Sequence, residues 1–132
     1  MPRKRRMPKT LTDKELENFK DKLVRQKEET WSEIIDDLKN DAREEYQDFI
    51  HMVRDQGDHA LAELKESTVF SFIELKYHEL EKIEQALTRI ESGTYGHCMD
   101  CGGWVGAARL EVIPAAVRCR KCQEEVEKFE GI

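Results

Sequence analysis

Between Lys9 and Ser92 a single residue type known to interrupt helices occurs once, at Gly57; there is no other Gly and no Pro. So long a stretch without breakers leaves few folds open, and its hydrophobic pattern narrows them further. Apolar residues recur at Leu16, Phe19, Leu23, Trp31, Ile34, Leu38, Ala42, Tyr46, Phe49 and Val53. The steps are three or four, with Lys27 filling one gap, which is the period of one helix face. Thr12-Asp13-Lys14-Glu15 forms a capping box at the start: the Thr hydroxyl takes an orphan backbone N–H and Glu15 reaches back. The pattern predicts ~40 residues of unbroken helix between Leu11 and Gln56, on the order of 60 Å at 1.5 Å per residue. A periodic run of this length without internal caps suggests a coiled coil.

A second stripe follows Gly57: Leu61, Leu64, Val69, Ile73, Tyr77, Leu80, Ile83, Leu87 and Ile90. It stops at Ser92-Gly93, where glycine suits the left-handed position after a helix. Two long amphipathic helices joined by a short turn bury both stripes by folding back antiparallel. The competing arrangement is one continuous helix that dimerises, because a lone glycine costs only ~1 kcal/mol in a helix. Asp55-Gln56-Gly57-Asp58 has turn chemistry and Asp58 can cap a second helix, which favours the hairpin. The expectation is a monomer with helices at about 13–54 and 59–91, a tip at 54–59, and Trp31 and Tyr77 in or beside the seam.

The C-terminal part reads differently. Cys98-Met-Asp-Cys101 and Cys119-Arg-Lys-Cys122 are separated by 17 residues. This is C-x2-C-x17-C-x2-C, a spacing read as a four-cysteine zinc site. Two residues between ligands let a tight knuckle aim both sulfurs at one ion, and the longer stretch returns to bring in the second pair. Gly96, Gly102 and Gly103 provide backbone freedom at the knuckle. Arg118, Arg120 and Lys121 offset the charge of four thiolates. A closed site leaves no position for water or substrate, so the predicted Zn²⁺ is structural. Two dithiol switches are the alternative; paired motifs at this spacing favour metal. Closure by a metal also suits a segment too small to bury much apolar area. A short terminal helix is expected over Gln123–Glu130.

Composition restricts the function classes. Charged residues make up 38% of the 132, against about 25% in an average domain, which argues against a compact enzyme with a single core. The net charge is −6. Arg3, Lys4, Arg5, Arg6 and Lys9 carry five positive charges in the first nine residues, which hold no acid. The remainder, at −11, does not suit an extended phosphate-binding surface. No apolar run follows Arg5–Arg6 and none approaches the length of a membrane span. The expectation is a cytoplasmic protein with reduced thiols and no membrane association. His51, His59, His78 and His97 are scattered and form no catalytic pairing.

With these residues in view, the chain resembles the DksA/TraR-type zinc-finger family. The resemblance rests on Gly93-Thr94-Tyr95-Gly96-His97-Cys98-x-x-Cys101-Gly102, on Arg109-Leu110-Glu111, Pro114 and Cys119-x-x-Cys122, and on Asp55-x-x-Asp58-x-Ala60. It spans about residues 12–130. It implies a mainly α fold: a long antiparallel helical hairpin (coiled coil) followed by a small four-cysteine zinc finger and a short C-terminal helix. The corresponding divisions are a basic flexible tail (1–11), the hairpin (12–92) and the finger with its terminal helix (93–132). The resemblance implies a transcription regulator, not an enzyme, that inserts the hairpin into the secondary channel of bacterial RNA polymerase and modulates initiation without sequence-specific DNA binding. Asp55, Asp58 and Ala60 would face the polymerase active site. Some members bind the alarmone ppGpp. Lys82 matches one basic residue used there, while Ile113 and Gln123 stand at two others, so the implied ppGpp dependence is weak or absent. The alternative function is a zinc-ribbon nucleic-acid-binding protein that uses the basic tail.

Overall fold

The computed structural model describes residues 11–56 and 69–130. The tail at 1–10 and the expected tip and second-stripe residues Gly57, Asp58, His59, Ala60, Leu61 and Leu64 lie outside them. Among these described residues five helices occur in the order α1 (Asp13–Lys39), α2 (Glu44–Gln56), α3 (Phe70–Ser92), α4 (Ala107–Val112) and α5 (Arg120–Phe129). Among the described residues the only β pairing is an isolated antiparallel bridge, His97 with Trp104. The chain divides into two compact units: residues 25–81, and residues 1–24 with 82–132.

In the unit 25–81 the core is apolar and sequential in its periodicity. Ile34 and Leu38 of α1, Tyr46, Phe49, Ile50 and Val53 of α2, and Val69, Ile73, Tyr77 and Leu80 form one buried cluster. Trp31 packs against it partly buried. The pairing is antiparallel. Lys76 of α3 reaches Glu33 and Asp37 of α1 (3.8 and 3.9 Å), whereas the earlier Phe72 meets Tyr46 of α2 (ring centroids 5.8 Å). Among the described residues the one buried polar side chain, Thr30, donates its hydroxyl to the Gln26 carbonyl at 2.9 Å, so its burial leaves no unmet donor.

The expected unbroken helix between Leu11 and Gln56 is corrected here: α1 ends at Lys39 and α2 begins at Glu44. The cause is local side-chain chemistry that competes with the helix. The Asp41 carboxylate accepts from the Arg43 backbone N–H (3.0 Å) and from two guanidinium nitrogens of Arg43 (3.0 and 2.7 Å). The Gln47 amide donates to the Asp41 carbonyl at 2.7 Å. These bonds satisfy groups that a continuing helix would have paired itself. Ala42, assigned to the stripe by periodicity, is exposed as a result.

The other unit begins with the capping box as expected. The Glu15 N–H donates to the Thr12 hydroxyl (3.1 Å) and the Thr12 N–H to Glu15 Oε1 (2.8 Å). Phe19 and Leu23 of α1 join Ile83 and Ala86 of α3 and Tyr95, Cys98, Val105 and Leu110 beyond it in a single buried cluster. Leu11, expected to belong to the tail, packs against this cluster. At the end of α3 Gly93 adopts φ 81° and the Thr94 N–H reaches back to the Arg89 carbonyl at 2.9 Å, closing the helix by a left-handed cap. No described helix is long and apolar enough to cross a membrane.

Candidate metal centre

The first cysteine pair sits on a knuckle built by backbone hydrogen bonds. The Cys98 N–H donates to the Gly103 carbonyl (2.7 Å) and the Gly102 N–H to the Cys98 carbonyl (2.9 Å). Gly102 takes φ 77° and Gly96 φ 91°, conformations that L-residues with a Cβ rarely adopt. Gly96 has a second reason to be glycine: a Cβ there would lie 2.7 Å from the Trp104 ring. Gly103, expected to serve the same turn through its flexibility, is not among the positive-φ glycines. Its N–H instead points at the Cys101 Sγ at 3.4 Å.

The second pair, at the entry of α5, is tied to the first through main chain: the Met99 N–H donates to the Val117 carbonyl at 2.8 Å. Arg118 Nε meets Asp100 Oδ2 at 2.7 Å, and Arg109 Nε donates to the Arg118 carbonyl at 3.1 Å. Asp100 lies inside the first Cys-x-x-Cys, and the sequence reading gave it no role; an acid between two ligands, facing a basic residue next to the third, is the signal that was there to read. Arg120, expected to balance the thiolates, pairs along the helix with Glu124 at 3.2 Å. Beneath the site the Tyr95 hydroxyl donates to the buried Pro114 carbonyl at 2.7 Å, and burial pushes that phenol well above its ordinary range. Arg89 donates from α3 to the carbonyls of Thr94 and His97.

The result is convergence of all four sulfurs. The Sγ atoms of Cys98, Cys101, Cys119 and Cys122 all lie within 4.8 Å of one another, and Cys101 and Cys119 are 3.9 Å apart. Tetrahedral Zn–S bonds of ~2.3 Å put sulfurs about 3.8 Å apart, so the donor set fits zinc in type, number and spacing. His97 is not part of the cluster; its ring lies edge-on to Trp104 (centroids 6.0 Å). Cys98 is buried and Cys101 exposed. Burial raises the Cys98 thiol, but backbone N–H groups of Cys119, Cys101 and Asp100 together outweigh it and bring it down to about 6. Cys122 goes the other way, pushed far up by the neighbouring Cys119 and Cys98. One thiolate is accommodated and the next is opposed. Four sulfurs this close need a cation to ionise together.

The other expected site residues are not gathered in this way. Asp55 is exposed in the last turn of α2. Lys82 is exposed on α3 and Ile113 is exposed past α4, while Gln123 donates its amide to Glu127 at 3.0 Å.

Comparison with known proteins places these observations. A family model described as the prokaryotic dksA/traR C4-type zinc finger matches residues 93–128. The RNA polymerase-binding transcription factor DksA of Caulobacter vibrioides is 34% identical over 128 residues, covering 92% of this chain and 82% of that protein. Among solved structures, transcription factor DksA2 from Pseudomonas aeruginosa aligns with a TM-score of 0.59 and 26% identity, covering 92% of this chain and 90% of that one. The RNA polymerase binding protein and transcriptional regulator Dks from Chlamydia trachomatis aligns with a TM-score of 0.52 and 28% identity, over 90% and 94%.

Proposed function

This chain belongs to the DksA/TraR family of C4 zinc-finger proteins, and on that premise we propose that it is a cytoplasmic transcription regulator that binds bacterial RNA polymerase and catalyses no reaction of its own. The observation that carries the proposal is the alignment with the Caulobacter factor over 92% of the chain, which takes in the helices as well as the finger. Cys98, Cys101, Cys119 and Cys122 would hold zinc, which would crosslink the finger (93–132). The helical hairpin (12–92) is the arm that enters the secondary channel. In this reading the tip residues are Asp55, exposed at the end of α2, and, in the sequence after it, Asp58 and Ala60; their carboxylates are for basic groups or the metal of the polymerase active site.

Affinity and effect then separate. Capture of core polymerase by the intact protein, reduced by a secondary-channel competitor, tests the partner. Asp55→Asn/Asp58→Asn keeps side-chain size and capping ability, since Asn caps as well as Asp, and removes charge. The double variant is expected to bind polymerase within about tenfold, ~1.4 kcal/mol, and to lose most of its effect on initiation. An unaltered effect rejects the role of the tip. The same transcription assay with and without ppGpp should show little difference. An anionic nucleotide needs several cationic contacts, and beside Lys82 two of the positions carry Ile113 and Gln123.

A further inference from the structure

The two cysteine knuckles are joined at two successive positions. Met99 donates its N–H to the Val117 carbonyl at 2.8 Å. One residue further along each segment, the Asp100 carboxylate accepts from Arg118 Nε at 2.7 Å. The first tie is main chain and belongs to the turn; the second depends on two particular side chains. Neither end of it is loose. The Asp100 N–H is among the donors to the Cys98 sulfur, and the Arg118 carbonyl is held by Arg109 Nε at 3.1 Å. Asp100 precedes Cys101 and Arg118 precedes Cys119, so the ion pair joins the neighbours of two sulfurs that lie 3.9 Å apart. One of these, Cys101, is exposed.

On charge alone Asp100 is misplaced. Four thiolates outnumber the charges of Zn²⁺, so the loaded site is anionic. A carboxylate between two of its ligands adds like charge, which opposes ionisation of the thiols. Arg118 has the favourable sign by itself, so the acid is useful only through its partner. Exposed ion pairs contribute little to global stability, and with Asp100 41% and Arg118 28% exposed this one adds little to melting. It can, however, resist the parting of the two knuckles, the motion that must open a closed four-ligand site before a competing ligand reaches the ion. We propose that Asp100 and Arg118 are positioning residues of the zinc centre: their ion pair latches one knuckle to the other and sets how slowly the metal escapes. The latch rests on the reading of the four cysteines as a zinc site, and it acts through the spacing of the ligands, against the sign of its own carboxylate.

The test is the rate at which zinc passes from the full-length, zinc-loaded protein to an excess of a chromogenic chelator, with metal content measured beforehand. Arg118→Ala is expected to release zinc about tenfold faster than the parent and Asp100→Asn about fivefold faster, near the lower end of what outer-shell partners of metal ligands command. The double variant should match Arg118→Ala within about twofold, because the latch is a single interaction. Helix content and the melting of the helical signal should stay with the parent. Charge alone makes the opposite prediction: Asp100→Asn slows release, and the double variant returns toward the parent rate. Either result overturns the latch, as does release at the parent rate in either single variant, or effects that multiply in the double variant. Asn keeps the size and turn-forming ability of Asp, so if Arg118→Ala loses its zinc during purification, the direction of the Asp100→Asn change decides. A parent that carries no zinc overturns the reading of the four cysteines instead, before any variant is compared.

Discussion

The zinc-finger segment and the helical unit 25–81 hold their shapes by opposite means. Between Gly93 and Glu130 the buried hydrophobic side chains are Tyr95, Cys98, Val105 and Leu110, and four sulfurs converge on one point. Among its described residues the helical unit has no such point; ten of their side chains form a continuous buried cluster. A ligand set acts through the identity and spacing of a few residues, so losing one removes the closure. Burial is distributed, so its cost is graded by how deep each side chain lies.

That contrast is most sharply broken by Cys119→Ser. Structural zinc contributes on the order of 10 kcal/mol or more to folding small modules. The variant should lose its zinc, about one ion per chain in the parent by metal analysis, and the finger should unfold while far-UV circular dichroism retains much of the helical signal. Stoichiometric zinc in the variant, or a zinc-free parent with disulfides by mass spectrometry, contradicts the metal closure. Leu38→Asp is the corresponding insult to the helical unit. Leu38 is fully buried (0% exposed), and an unpaired carboxylate there costs several kcal/mol. The melting temperature should fall steeply with zinc content unchanged; unchanged melting rejects the packing described.

The smallest effect belongs to the break between α1 and α2. The Arg43 side chain first, and its backbone N–H second, hold the Asp41 carboxyl at about 2. A carboxylate depressed in the folded state stabilises above its unfolded value, ~3.9, and its contribution disappears as pH falls through 2. Asp41→Ala should therefore lower the melting temperature slightly at neutral pH. The difference from the parent should close between pH 4 and pH 2. An equal difference at both ends removes the ion pair as its cause.

The two regions were also unequally legible. Four cysteines at ligand spacing fixed which atoms meet, because the geometry of one ion leaves little choice, and the glycines at 96 and 102 followed. In the helical unit the stripe named the inward residues well: Ile34, Leu38, Tyr46, Phe49, Val53, Ile73 and Tyr77 are all buried. Periodicity is insensitive to a break that keeps the same face inward on both sides, so Asn40–Arg43 was read through. The signal lay in Asn40-Asp41, residues whose side chains compete for backbone groups.

The break has a consequence for how chain length can vary. Within α3 one added residue turns everything beyond it by about 100°, moving Tyr77 and Leu80 out of the core. At Asn40–Arg43 the backbone has already left the helix, and α2 starts afresh at Glu44, its own buried face set by Tyr46, Phe49, Ile50 and Val53. Insertions and deletions at this point change the spacing of the two helices without rotating either face. It is the joint at which an arm of this design can be lengthened or shortened by single residues, where a seamless coiled coil would have to change by whole repeats.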